Sequence, residues 1–467
     1  MKRLVYNKLK KWKESNSRKP LILNGARQVG KTWILKEFGK NEYKNVAYVS
    51  CDKTEGVKPI FEQDFNTERI IRNLSALTGI DIKPKTTLII LDEIQELPIA
   101  ITALKYFCEN APEFHIAVAG SLLGLFLHQG ISFPVGKVDI IRIYPMTFEE
   151  FLLARGKDIA LKVLTDCNYD VSNSLHDMYI EELRQYYFTG GMPACVKAYT
   201  EGAGPNEIRE IQKTILYSYV NDFSKHTTKQ EAQRINMIWQ SIPAQLAKDN
   251  KRFIYGAVKE GARAKDFELA IEWLINAGLV YKINRASKPT MPLKFYEDFN
   301  AFKLFMLDCG LLGAMTDTPA SQILIGDNAF KEYKGMFTEL FVLQQLKAAE
   351  IFPTYYYSAN DSSIEIDFLI QCQSHIYPIE VKAETNLRSK SLRTYISKHP
   401  DLKGIRTSLS PYKDEEWMVN IPLYALIADL KKQYEEGERK LQEYLQKSSS
   451  FSTSNPNEGN TNKTITT

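Results

Sequence analysis

Two stretches of the chain hold residues whose types and spacing suit chemistry. The first is Gly25-Ala26-Arg27-Gln28-Val29-Gly30-Lys31-Thr32, with PLILNG (20–25) leading into it and TWILKEF following. Glycines at this spacing let backbone N–H groups turn inward around phosphates, and the start of the following helix adds positive potential. Lys31 would reach the outer phosphates and the Thr32 hydroxyl would ligate Mg²⁺. The second is an acidic set late in the chain: Glu339 in FTELFVLQQLKAAE, Asp367 in SSIEIDFLI, and Glu380 with Lys382 in IYPIEVKAE. Side chains two apart on a strand point the same way, so Glu380 and Lys382 converge on one point. Such a pair is either a surface ion pair of little worth or half of a metal-dependent phosphodiesterase.

The elements around these residues follow from the apolar pattern. Over the first ~160 residues, strand-like runs at 20–25, 45–52, 87–93, 114–121 and 138–145 alternate with helical stretches. Near-continuous apolar strands of this kind suit a parallel sheet buried on both faces. Leu88-Ile89-Ile90-Leu91 leads into Asp92 and Glu93. Asp92 at the strand end is placed to hold Mg²⁺ through water, and Glu93 to polarise a water for attack on the terminal phosphate. Ser121, at the tip of the next strand, either senses that phosphate or caps a helix. From about 147 to 250 the periodicity is helical, broken at Gly190-Gly191-Met192-Pro193. A helix at 266–277, a strand at 279–283, a turn and a strand at 293–298 give the outline of a winged helix. Its outward Asp266, Glu268 and Glu272 would repel phosphates and only Arg285 and Lys288 in the wing are basic, which favours packing or switching over DNA reading. Val5, Leu9 and Trp12 form an apolar stripe among Lys2, Arg3, Lys8, Lys10, Lys11 and Lys13, either a helix packed on the core or a nucleic-acid contact.

With 467 residues, two to four domains are expected; 25% charged and 44% apolar residues are the composition of a soluble globular protein. No run approaches the ~18–20 apolar residues that span a bilayer, and the basic N-terminal stretch lacks the apolar segment of a signal peptide. Six scattered cysteines, none closely paired, fit reduced thiols and a cytoplasmic location rather than disulfides or a zinc site. A net charge of +4 is too small to argue for nucleic acid by itself.

In this order, GARQVGKT, LIILDEIQ, VAGS, IYPMTFEEF (143–151), TGGMP (189–193), KLFMLDCGLL (303–312) and EIDFLI with IEVK resemble the AAA-type ATPases with a C-terminal DUF4143 region. The resemblance implies an α/β P-loop ATPase, with a parallel sheet and helices on both faces, that binds ATP and Mg²⁺ beneath a helical lid. GGMP is similar to an element that touches adenine, which makes Pro193 a nucleotide contact. Gly136-Lys137 stands where many relatives carry Gly-Arg, leaving Lys137 or Arg142 as stand-in for an arginine finger, although an ammonium does not replace a guanidinium fork equivalently. A helix Glu, a strand Asp and Glu-x-Lys on the neighbouring strand resemble the restriction-endonuclease-like PD-(D/E)xK core. That resemblance makes Asp367 and Glu380 metal ligands, Glu339 the completing carboxylate and Lys382 the group that orients or deprotonates water. Lys390, Arg393 and Arg388 would add phosphate contacts.

The expected organisation is an ATPase core over 1–160, a lid over 161–235, a winged-helix module over 236–315, an α+β nuclease-like domain over 316–446 and a disordered tail over 447–467. The expected function is a nucleotide-driven ATPase switch, with DNA or RNA as macromolecular partner and no membrane. The alternative is a regulatory scaffold whose C-terminal fold only binds a partner.

Overall fold

The computed structural model describes residues 1–120, 133–225, 227–248, 251–325, 331–359, 363–383 and 389–452. Ser121 and Arg388 lie outside the described residues.

Five apolar runs form the first sheet: β1 (Leu21–Asn24), β2 (Asn45–Ser50), β3 (Thr87–Asp92), β4 (His115–Gly120) and β5 (Asp139–Arg142). All pair in parallel, in the order β2-β3-β4-β1-β5. β3 and β4 are buried along their whole length, and strand alternation divides their side chains between two cores. Leu88 and Ile90 pack with Ile34, Leu35 and Phe38 of the helix that follows the phosphate loop. Ile89 and Leu91 pack on the other face with Ile101 and Leu104. Each of the five expected strand runs carries a strand, and the expected parallel sheet covered on both faces is what forms.

Helix α1 (Val5–Glu14) buries Val5, Leu9 and Trp12 against this domain. Its basic face is largely paired, Lys8 with Glu350 at 2.5 Å and Lys10 and Lys13 with Glu42 at 3.3 and 3.2 Å. Just before α1, Lys2 pairs with Asp158 at 2.6 Å. Arg3, expected among the solvated basic residues, is buried instead. It donates to Glu150 Oε1 (3.1 Å), Val29 O (2.9 Å) and Tyr144 O (2.7 Å).

The helices that bear on the site are α2 (Lys31–Glu42) within the ATPase domain and, beyond it, α3 (Pro205–Lys225), α4 (Lys229–Leu246), α5 (Ala264–Asn276), α6 (Cys309–Met315), α7 (Lys331–Ala349), α8 (Lys390–Lys398) and α9 (Leu426–Ser452). The remaining strands are β6 (Val280–Ala286), β7 (Glu297–Met306), β8 (Thr354–Ser358), β9 (Glu365–Cys372), β10 (His375–Val381), β11 (Gly404–Ser408), β12 (Lys413–Asp414) and β13 (Met418–Pro422). They form one eight-stranded sheet in the order β12-β13-β11-β10-β9-β8-β6-β7.

Three expectations change here. The second hairpin strand begins at Glu297 and runs to Met306, because Leu293–Tyr296 form a 3₁₀ turn after Pro292 while Ala301–Met306 is a buried apolar run. The hairpin is not a free wing: β6 pairs in parallel with β8, Arg285 opposite Tyr356, so the sheet crosses the boundary expected at 315. The last helix continues past 446 to Ser452. On α5, Phe267, Ala270, Ile271 and Leu274 are core as expected, and Glu268 and Glu272 are exposed. Asp266 instead accepts from the Arg263 N–H at 3.1 Å, and Arg285 is engaged by Asp298 at 2.7 Å.

Candidate functional site

The phosphate loop joins β1 to α2 over Gly25–Gly30. A Cβ on Gly25 would stand 2.2 Å from the Ile143 carbonyl oxygen, so only glycine passes there. Gly30, at φ +93°, caps α2 in the left-handed region that glycine adopts at no steric cost. Lys31 is buried and its ammonium donates to the Gly25 and Ala26 carbonyls, both at 2.8 Å. Burial pushes its pKa down to about 8, against the attraction of Glu93 and Asp92. Thr32, Asp92 and Glu93 line a cavity of about 320 Å³ together with Arg27, Lys53 and Lys225. Asp92, buried at the end of β3, accepts from the Tyr48 hydroxyl at 2.9 Å and from the Glu93 N–H at 3.1 Å. Glu93 sits at φ +50°, unusual for a residue with a Cβ, and accepts from Gln95 at 2.5 Å. A glycine cradle, a buried ammonium, a hydroxyl and a carboxylate on one cavity fit a magnesium nucleotide: Thr32 and Asp92 would hold the cation and the loop the phosphates.

The loop is gripped from outside the ATPase domain. Arg27 pairs with Asp222 at 2.5 Å, its carbonyl accepts from the Tyr219 hydroxyl at 2.9 Å, and Gln28 donates to Ser218 at 2.8 Å, all on α3. Gly278, in the turn from α5 into β6, is so close that its Cβ would stand 3.2 Å from the Ala26 nitrogen. Pro193 reaches within 3.6 Å of the place a Gly30 Cβ would occupy. The GGMP turn is held rigidly: a Cβ on Gly191 would lie 2.1 Å from the Met146 carbonyl and one on Gly190 2.2 Å from Asp308. Asp308, fully buried, accepts from the Gly191 N–H (2.6 Å), the Leu311 N–H (2.9 Å) and Gln344 (3.2 Å). It thereby ties this turn to α6 and α7, a role not assigned from sequence, although an aspartate inside the apolar run KLFMLDCGLL signals a buried partner.

Lys137 cannot serve the loop in its own chain. It precedes β5, at the sheet edge opposite the loop, and pairs with Glu109 at 2.9 Å. Arg142 ends β5 opposite Asn24, at the loop's edge of the sheet.

In the C-terminal sheet, β9 and β10 pair antiparallel, with Phe368 opposite Ile379. Asp367 is the next residue on β9; its carboxylate accepts the Val381 N–H at 2.8 Å. Burial, then the Glu339 charge, push its pKa up to about 7, with Lys251 and Lys303 opposing. Glu380 Oε1 meets the Lys382 ammonium at 2.9 Å, while Glu380 Oε2 is buried without a hydrogen-bond partner. Glu339, on α7, is held by Lys251, and its other oxygen is likewise unpartnered. Lys303, 1% exposed, pairs with Glu365 at 2.5 Å. Among the described residues no three His, Cys, Asp or Glu side chains gather closely enough to hold a metal ion. The three-carboxylate shell of Glu339, Asp367 and Glu380 is therefore not assembled here. Lysines hold two of its members, and two orphaned carboxylate oxygens are what a cation would engage. Lys251 and Lys303 were not identified from sequence; the charge inside the apolar strand AFKLFM is the signal for Lys303, and Lys251 offers none. Lys390 and Arg393 lie on α8.

Residues 17–152 match the model of the AAA domain family AAA_14, residues 180–322 a domain of unknown function (DUF8612) and residues 334–426 a second one (DUF4143). The first match and the loop geometry make the N-terminal domain a P-loop ATPase domain that binds nucleotide. No curated protein matches the chain. Among solved structures, the chain is similar to the Walker-type ATPase of Pyrococcus abyssi, at 13% identity over 67% of this chain and 94% of that one, with a TM-score of 0.42. It is also similar to the Aeropyrum pernix ORC1 protein solved in complex with DNA (13%, 69% and 95%, 0.28) and to Thermotoga maritima RuvB (14%, 59% and 88%, 0.26). These scores are low, and the fold assignment rests on this chain's own strand order and loop. No helix among the described residues is long and apolar enough to cross a membrane.

Proposed function

We propose that the protein is an ATP-hydrolysing switch of the AAA type whose nucleotide state is passed to a nuclease-like C-terminal domain acting on nucleic acid. One observation carries this reading. Ala26 of the phosphate loop abuts Gly278 at the head of β6, and β6 belongs to the same sheet, through β8, as the β9 and β10 strands that bear Asp367 and Glu380. A loop that rearranges around phosphates therefore pushes directly on that sheet.

In this account the loop amides and the Lys31 ammonium take the β- and γ-phosphates, and Glu93 draws a proton from the attacking water. A magnesium ion on Thr32 and Asp92 would neutralise phosphate charge. In the C-terminal sheet, Asp367 and Glu380 would take a divalent cation, supported by Glu339, only once Glu380 leaves Lys382 and Glu339 leaves Lys251, since the three carboxylates are not gathered in the structure; the freed Lys382 would then activate water. The winged-helix module serves as the transmitting element, not as a sequence reader.

The pairs Lys251–Glu339 and Lys382–Glu380 favour a second reading, a regulatory scaffold whose C-terminal domain binds a partner without cleaving it. ATP hydrolysis and nucleotide retention in wild type, Lys31→Ala and Glu93→Gln test the ATPase half. Lys31→Ala should lose binding, and Glu93→Gln should bind and retain ATP. Wild-type turnover by Glu93→Gln would overturn the role given to that carboxylate.

A further inference from the structure

A second cavity, of about 340 Å³, lies on the other side of the phosphate loop from Thr32 and Asp92. Gly25 and Ala26 form one wall. The exit of β5, the turn from α5 into β6 and α7 form the others. Three cations line it, Arg142, Lys282 and Lys347, and no carboxylate does. Among the described residues none of the three is in an ion pair; Lys282 lies over the Phe302 ring at 4.6 Å. Glu350, which the Tyr144 hydroxyl reaches at 3.1 Å, is engaged by Lys8 at 2.5 Å and does not line the cavity.

Tyr281 supplies an independent sign of a missing ligand. It lines the same cavity, is 9% exposed, and its hydroxyl has no hydrogen-bond partner. A buried hydroxyl left unsatisfied costs free energy that a ligand oxygen would recover. Burial and the neighbouring Arg142 charge also depress the Lys347 ammonium to about 8, the effect of positive charge collected without an anion. The remaining wall is apolar and aromatic, with Ile143, Tyr144, Pro145 and Val280. The volume is at the size of small organic ligand sites.

We propose that this cavity is a second ligand site, taking a nucleoside phosphate whose phosphate lies on Arg142, Lys347 and the Tyr281 hydroxyl and whose base lies against the Tyr144 and Pro145 wall; Lys282, on the opposite face of β6 from Tyr281, adds positive charge at the rim. The site borders the loop backbone at Gly25 and Ala26 and the Gly278 turn, so its occupancy bears on the element that carries nucleotide state to the C-terminal sheet.

Calorimetric titration of the full chain, with the phosphate loop first saturated by a non-hydrolysable ATP analogue, tests this with AMP and, separately, inorganic phosphate as probes. One further equivalent of AMP should bind. Lys347→Met should weaken it at least tenfold, as expected for losing a charge-assisted contact, and Tyr281→Phe should weaken it about five- to tenfold while keeping the packed ring. Affinity of either variant for the ATP analogue should stay at the wild-type value. Three results would overturn the proposal. AMP that fails to bind the saturated chain removes the second site. Loss of ATP-analogue affinity in Tyr281→Phe equal to the loss for AMP makes the cavity part of the loop's own site. Inorganic phosphate binding as tightly as AMP removes the nucleoside.

Discussion

Replacing Lys251 by methionine isolates the buried charge cluster beneath the C-terminal strands. Lys251 and Glu339 have side chains 16% and 6% exposed, and Asp367 and Glu365 add further negative charge around the same ammonium. Water cannot compensate Glu339 once the ammonium is gone, because its second oxygen is already buried without a partner. Breaking a buried pair from one side costs about 3–5 kcal/mol. At about 2–4 °C per kcal/mol for domains of this size, Tm should fall by roughly 6–20 °C. Restoring neutrality with Lys251→Met/Glu339→Leu should recover most of that loss, because replacing both partners by apolar groups is close to neutral. Differential scanning calorimetry of the full chain at one pH and salt concentration reads both. A single-variant loss below about 1 kcal/mol, or a double variant no better than the single, would refute the claim that the lysine compensates a buried carboxylate.

Asp367 holds its proton up to about pH 7 in the folded chain and releases it near 3.9 when unfolded. The folded state therefore binds more protons between those values, and this group's contribution to stability falls as pH rises through that window. Asp367→Asn should accordingly raise Tm at pH 7 without added metal while cancelling any upward shift that millimolar Mn²⁺ gives the wild type; a Tm lowered by Asp367→Asn, or a Mn²⁺ shift that survives it, contradicts the assignment. Because the Lys31 ammonium titrates near pH 8 in the free protein, ATP binding should take up a proton increasingly above that pH; calorimetry in buffers of different ionisation enthalpy checks this, and proton-neutral binding at pH 9 argues against it. Gly191→Ala places a Cβ 2.1 Å from the Met146 carbonyl and should cost more than about 2 kcal/mol by urea unfolding. Gly335→Ala in α7, where a Cβ meets nothing within 4 Å, should gain roughly 0.5–1 kcal/mol.

The ATPase domain was legible because its signals are local. Short apolar runs such as Leu88–Leu91, bounded by polar residues, suit strands covered on both faces, and the loop pattern lies between such a strand and a helix. The parallel pairing of β6 with β8 left no local trace, since strands paired in parallel across a long connection share no turn. The second hairpin strand lies further along the chain than LKFYED suggests on its own, because Leu293–Tyr296 form a 3₁₀ turn after Pro292 and the buried run Ala301–Met306 holds the strand toward the C-terminus. At the C-terminal site, strand alternation brought Glu380 and Lys382 together at 2.9 Å. It carried no information about Lys251, which arrives from the segment after α4, nor about Arg3, whose burial depends on carbonyls of the loop and of the β5 exit.

If nucleotide at the phosphate loop controls chemistry at Asp367, Glu380 and Lys382, cleavage of nucleic acid must depend on both sites. Nicking of supercoiled plasmid in Mg²⁺ or Mn²⁺, with and without ATP, tests it in wild type, Lys31→Ala, Glu380→Ala and Lys382→Ala. Nicking by the wild type should change with ATP, lose its ATP dependence in Lys31→Ala and disappear in Glu380→Ala and Lys382→Ala. Intact plasmid under every metal and nucleotide condition would contradict it and leave the C-terminal domain as a binding module.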